Sequence, residues 1–121
     1  GSLYSSVISN LLPKGVGKAI ARRNMPKVYL PSLGSDPECV GMGLADQVGA
    51  LVETLRRDTG PRMPAKKFIR LVLVDKSVEE SALQEVTERF GIPCVAAKLR
   101  AEGERAVYDP QKVCDALISL T

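Results

Sequence analysis

The sequence predicts an α/β protein built on a parallel sheet, and three observations carry that reading. Helical and extended patterns alternate in the order helix, strand, helix, strand, helix, strand, helix, the arrangement that parallel strands joined by right-handed crossovers produce. Phe68-Ile69-Arg70-Leu71-Val72-Leu73-Val74 is nearly all apolar and rich in branched residues, as a strand covered on both faces must be. Leu44, Val48, Leu51, Val52 and Leu55 recur at helical spacing, with Asp46, Glu53 and Arg56 on the other side, which defines an amphipathic helix.

The elements follow in order. Leu3, Val7, Ile8, Leu11 and Leu12 share one face of a first helix, whose start is made of Gly1, Ser2, Tyr4, Ser5 and Ser6. The unpaired N–H groups of a first turn, the helix dipole and serine hydroxyls together favour an anion such as a phosphate. Serine also caps helices for no other purpose, so these residues alone leave a phosphate site and a plain helix start both open. Pro13 and Gly15 interrupt the pattern, and Val16, Ala19 and Ile20 resume it before the basic end at Arg22 and Arg23, which suits the negative pole of the dipole. Asn24 supplies a stop. Lys27-Val28-Tyr29-Leu30, between Pro26 and Pro31, predicts a short strand. The loop from Ser32 to Gly43 carries three glycines and the acids Asp36 and Glu38, and loops of this length in compact domains are often functional.

After the amphipathic helix, whose first turn holds Asp46, the stretch from Asp58 to Lys67 has a glycine, two prolines and charge, and reads as an exposed connection. The core strand then ends at Asp75, in the position where open α/β sheets place ligands and where acids also form turns. Ser77-Val78-Glu79-Glu80 has the spacing of a capping box, and Val78, Ala82, Leu83, Val86 and Phe90 give the next helix its apolar face before Gly91 ends it. Residues 93 to 99 predict a third strand, and 100 to 105 a solvated, mixed-charge loop. Asp109 before Pro110 sets an N-cap and a first-position proline for a last helix that carries Val113, Ala116, Leu117 and Leu120.

Composition bounds the function. The 17 basic and 14 acidic residues give a net charge of only +3 and are interspersed, with no basic stripe interleaved with aromatics, which argues against nucleic-acid binding. No apolar run reaches membrane-span length and no signal-peptide pattern is present, so the expected location is the cytoplasm. Histidine is absent and the three cysteines lack C-x-x-C spacing, which argues against a zinc site and a disulfide framework and excludes Ser-His or Cys-His catalysis. Cys39, Cys94 and Cys114 are expected to be small, mostly buried hydrophobes.

Read together, Gly1-Ser2-Leu3-Tyr4-Ser5-Ser6-Val7-Ile8-Ser9-Asn10-Leu11-Leu12, Lys27-Val28-Tyr29, and Asp36-Pro37-Glu38 leading into Ala45-Asp46-Gln47-Val48 resemble the CofD-like superfamily, above all its gluconeogenesis-factor (YvcK) branch. The superfamily also includes the 2-phospho-L-lactate transferase of deazaflavin coenzyme synthesis. The resemblance implies a Rossmann-like three-layer sandwich, or a portion of one, with three or more parallel strands and residues 1–121 as a single α/β domain, the C-terminal part of a longer CofD-like domain. It implies phosphate or nucleotide contacts at Gly1, Ser2, Tyr4, Ser5, Ser6, Asn10, Asp36, Glu38 and Asp46. Gln47 stands where the family has histidine, and Val107-Tyr108-Asp109-Pro110 where the gluconeogenesis factor tends to have Arg-His-Asp-Pro, so one basic phosphate contact is missing.

Three functions remain in view. The first is a regulatory protein of carbon metabolism and cell-wall precursor supply that binds a UDP-sugar such as UDP-N-acetylglucosamine, with no catalytic residue and no cofactor. The second is a phospholactate-type transferase in which Asp36, Glu38, Asp46 or Asp75 would bind Mg²⁺ on a diphosphate. The third is a non-catalytic interaction fragment, since a three-stranded sheet has two edges to hide. The expected partners are a nucleotide-sugar or phosphorylated small molecule, together with a second copy or an N-terminal portion supplying a strand and the glycine-rich nucleotide loop.

Overall fold

The computed structural model describes residues 16–22, 27–31, 43–103 and 107–120. Among them, three strands form one parallel sheet in the order β1-β2-β3, with β1 at Val28–Tyr29, β2 at Leu71–Asp75 and β3 at Cys94–Ala97. Val28 pairs with Leu71, and the β2–β3 register runs from Val72↔Cys94 to Asp75↔Ala97. Four helices surround it: α1 at Val16–Arg22, α2 at Leu44–Thr59, α3 at Glu80–Phe90 and α4 at Pro110–Ser119. The chain is α/β, as its alternating pattern predicts, and Rossmann-like, as the resemblance implies.

The periodicity of α2 explains its place. Ala45, Val48, Leu51, Val52 and Leu55 are buried in one cluster with Val72 and Val74 of β2, Val86 of α3 and Ile92. Side chains alternate across a strand, so Leu71 and Leu73 project from the opposite face. Leu73 is fully buried there, while Leu71 lines a groove with Leu117 of α4 and Leu120 just after it. Burial of apolar surface stabilises by about 25 cal/mol per Å², and α2 contributes five of the residues of this cluster. Ile20 and Ala21 of α1 pack on the same cluster. There the Lys18 N–H donates to Asp58 at 2.8 Å, and Gly17 sits against the Leu55 carbonyl.

Three expectations are corrected. The core strand begins at Leu71 rather than Phe68, because Ala65–Lys67 forms a 3₁₀ turn after Pro64. The Phe68 and Ile69 N–H groups both donate to the Ala65 carbonyl. Phe68 and Ile69 are buried all the same, so the apolar run marks the core correctly while its first residues are coiled. The Ser77 to Glu80 capping box does not form: α3 starts at Glu80 with Glu79 as N-cap and no side-chain cap. The Ser77 N–H is instead taken by the Asp75 carboxylate at 3.0 Å. Cys114 is exposed and Cys94 half-buried, because α4 presents that side of its surface to water.

Other signals hold. Gly91 ends α3 in the left-handed conformation with φ 67°, and Asp109 caps α4 by accepting from the N–H groups of Gln111 and Lys112. No helix among the described residues is long and apolar enough to cross a membrane.

Candidate functional site

The carboxyl ends of parallel strands are where α/β sheets place ligands, and here Asp75 organises that edge. It lies at the end of β2 and is only 5% exposed. One oxygen accepts the N–H of Leu99 at 2.9 Å and of Arg100 at 3.1 Å, and the other accepts that of Ser77. Burial works to raise its pKa, but the Ser77 hydroxyl and these three amides outweigh burial and hold the carboxyl far below the usual carboxylate range. Asp75 is therefore ionised and fully engaged. It joins the turn after β2 to the segment after β3.

That segment folds back on itself. Arg100 pairs antiparallel with Tyr108, the Ala101 N–H donates to the Val107 carbonyl at 2.9 Å, and the Asp109 N–H to the Leu99 carbonyl at 2.7 Å. The Tyr108 hydroxyl donates to the Pro31 carbonyl just beyond β1, so the ends of all three strands are linked. Burial, and then the charge of Asp75, push the Tyr108 phenol up from its ordinary value and keep it a neutral donor.

Three cations stand beyond the strand ends. Lys76 follows β2, and Lys98 and Arg100 follow β3; all are exposed. Among the described residues none forms an ion pair, since the salt bridges there are those of Arg89 with Asp46 and Glu85. With the negative charge of Asp75 turned inward onto amides, Lys76, Lys98 and Arg100 are the exposed charges that directly follow the described strands, and cations so placed suit an anionic ligand. Sequence reasoning missed these cations. The available signal was their position: each lies within three residues of the end of a predicted strand.

Asp46 is the one candidate of the predicted set that the structure describes. It is exposed in the first turn of α2, where it accepts the Gly43 N–H at 3.4 Å and pairs with Arg89 of α3 at 3.2 Å. Its neighbour Gln47 accepts the Tyr29 hydroxyl at 3.5 Å, which ties β1 to the start of α2. Gly1, Ser2, Tyr4, Ser5, Ser6, Asn10, Asp36 and Glu38 lie outside the described residues. Among the described residues no three His, Cys, Asp or Glu side chains gather as metal ligands, and the hydrogen bonds of Asp46 and Asp75 run to different partners.

Comparison with known proteins gives two matches. The family model described as "2-phospho-L-lactate transferase CofD" matches residues 1–110. A protein of Deinococcus radiodurans named "Putative gluconeogenesis factor" is 28% identical over an alignment of 129 residues, which covers 99% of this chain and 27% of that protein. The chain thus spans about a quarter of the length of that relative. No solved structure matches.

Proposed function

Because this chain belongs to the CofD family, matched over residues 1–110, we propose that it is a nucleotide-sugar-binding protein of the gluconeogenesis-factor kind. Its ligand would be a UDP-sugar such as UDP-N-acetylglucosamine, bound in a regulatory role in carbon metabolism and cell-wall precursor supply in the cytoplasm. The observation that carries this reading is the likeness to the Deinococcus relative across 99% of the chain. The site would combine the Gly1, Ser2, Ser5 and Ser6 start with its exposed amides on the phosphates, and Tyr4 and Asn10 on the sugar or base. Asp36, Glu38 and Asp46 would flank it. The cations Lys76, Lys98 and Arg100, which form no ion pair among the described residues, support an anionic ligand at the carboxyl edge.

The family model's description as a transferase favours a second reading, in which a diphosphate is handled with Mg²⁺. The described residues do not fit that ion. Asp75 is buried on backbone amides, Asp46 is held by Arg89, and no group of three ligands forms among them.

Thermal melting of the chain separates the readings, since a ligand that binds only the folded state raises the midpoint by mass action. UDP-N-acetylglucosamine in the presence of a chelator is expected to raise it. A rise that occurs only with a nucleoside diphosphate and added Mg²⁺ would replace this reading with the transferase. No rise with any nucleotide, together with dimerisation in light scattering, would replace it with an interaction module.

A further inference from the structure

The amino ends of the strands, opposite the edge described above, frame a separate cavity. Val28 opens β1, Leu71 opens β2 and Pro93 immediately precedes β3; with Leu117 of α4 and Leu120 just after it they form the apolar wall of an open groove of about 700 Å³. That volume falls within the roughly 300–1,000 Å³ usual for small-molecule sites, and such sites combine apolar walls with a few polar groups that fix orientation. The apolar wall is incompletely covered, with Val28 37%, Leu117 36% and Leu120 39% exposed.

Among the described residues, the charged groups that line it are of one sign. Lys27 and Arg70 line the groove at the residues just before β1 and β2. Lys67 is close by, since the Lys27 ammonium donates to its carbonyl. Burial first, and then the positive charges of Lys67 and Arg70, push the Lys27 pKa down. Among the described residues none of the three forms an ion pair. Like charges gathered without a counter-charge repel one another, and an anion placed among them relieves that repulsion. A hydrocarbon wall with unmatched positive charge at one end is complementary to a molecule that is anionic at one end and apolar along its length.

We propose that this groove binds a small amphiphilic anion, a carboxylate or phosphate monoester on a hydrocarbon body. Its head sits at Lys27 and Arg70, and its body lies along Val28, Leu71, Leu117 and Leu120. The groove lies at the end of the strands opposite Lys76, Lys98 and Arg100 and draws on none of the residues assigned to the nucleotide sugar.

The test titrates the full chain with decanoate and decyl phosphate below their micellar concentrations, with decanol and inorganic phosphate as controls, and follows backbone amide NMR shifts. Saturable binding by decanoate or decyl phosphate is expected, at least about tenfold tighter than decanol or phosphate. Lys27→Ala and Arg70→Ala should each weaken it about five- to tenfold, and Leu117→Ser should weaken it as well, all with unchanged circular dichroism. UDP-N-acetylglucosamine should not compete. Equal affinity for decanol, absence of saturable binding, or competition by the nucleotide sugar would overturn the proposal. So would a concentration-dependent dimer abolished by Leu117→Ser, which would show that a second copy covers the groove.

Discussion

Asp75 concentrates more of the described architecture than any other polar residue. Its oxygens hold amides 24 and 25 positions further along the chain as well as the turn next to it. Asparagine in its place keeps one acceptor for Leu99 and Arg100 but presents an NH₂ group to the Ser77 N–H, so Asp75→Asn should cost about 2–4 kcal/mol at neutral pH. The pH dependence follows from the lowered folded-state pKa. Ionised Asp75 contributes stability that is fully present above the unfolded carboxylate value, about 3.9, and is lost as pH falls through the folded one. Urea unfolding between pH 7 and acid should show the difference between wild type and Asp75→Asn shrinking below about pH 5, as the unfolded wild type takes up a proton that the folded carboxylate resists. An undiminished difference at low pH would show that the carboxylate's charge contributes nothing. The sequence marked Asp75 as a residue at a strand end, either turn former or ligand. It could not show the amides of Leu99 and Arg100, because those bonds exist only once β3 has paired with β2.

At the scale of elements, what the sequence revealed depended on whether the signal was local. The apolar stripe of α2 and the caps Gly91 and Asp109 are local patterns, and the structure has them. A continuous apolar run does not distinguish a buried strand from a buried helical turn, and so the first residues of the run from Phe68 were misread. Ser77 departs from its pattern for a related reason: its N–H and its hydroxyl both engage the carboxylate of Asp75 two residues earlier, which draws it away from the helix start. Helix packing yields a further prediction. A methyl group at Gly17 would meet the Leu55 carbonyl and stand 3.0 Å from the Asp58 Cβ, and the backbone of α2 cannot turn aside as a flexible side chain could. Gly17→Ala gains up to about 1 kcal/mol of helix propensity, while overpacking costs about 1–3 kcal/mol. Chemical denaturation should therefore show a net loss of about 1–2 kcal/mol, with faster amide exchange in Val16–Arg22 as α1 loses its seat. A stabilised Gly17→Ala variant would mean that the two helices do not pack this closely in solution.

For the molecule as a whole, family membership was legible in the order of short motifs, and the family-model match over residues 1–110 supports it. The candidate site was legible only in part. Asp46 is described and makes the helix-start contact expected of a first-turn acid, together with an ion pair to Arg89 that nothing local foretold. The positive carboxyl edge became visible only with strand register, which sets Asp75 beside Ala97 and so brings Lys76 near Lys98. The function proposed above requires the cations of this edge and the serine-rich start to contact one anionic ligand. Calorimetric titration of UDP-N-acetylglucosamine into wild type, Ser6→Glu and a Lys76→Glu/Lys98→Glu double variant tests this union most directly. The account predicts a saturable, metal-independent isotherm for wild type, weakened at least about tenfold in both variants by the repulsion each adds. Wild type that releases no heat at any concentration, or variants that bind as wild type does, would contradict it.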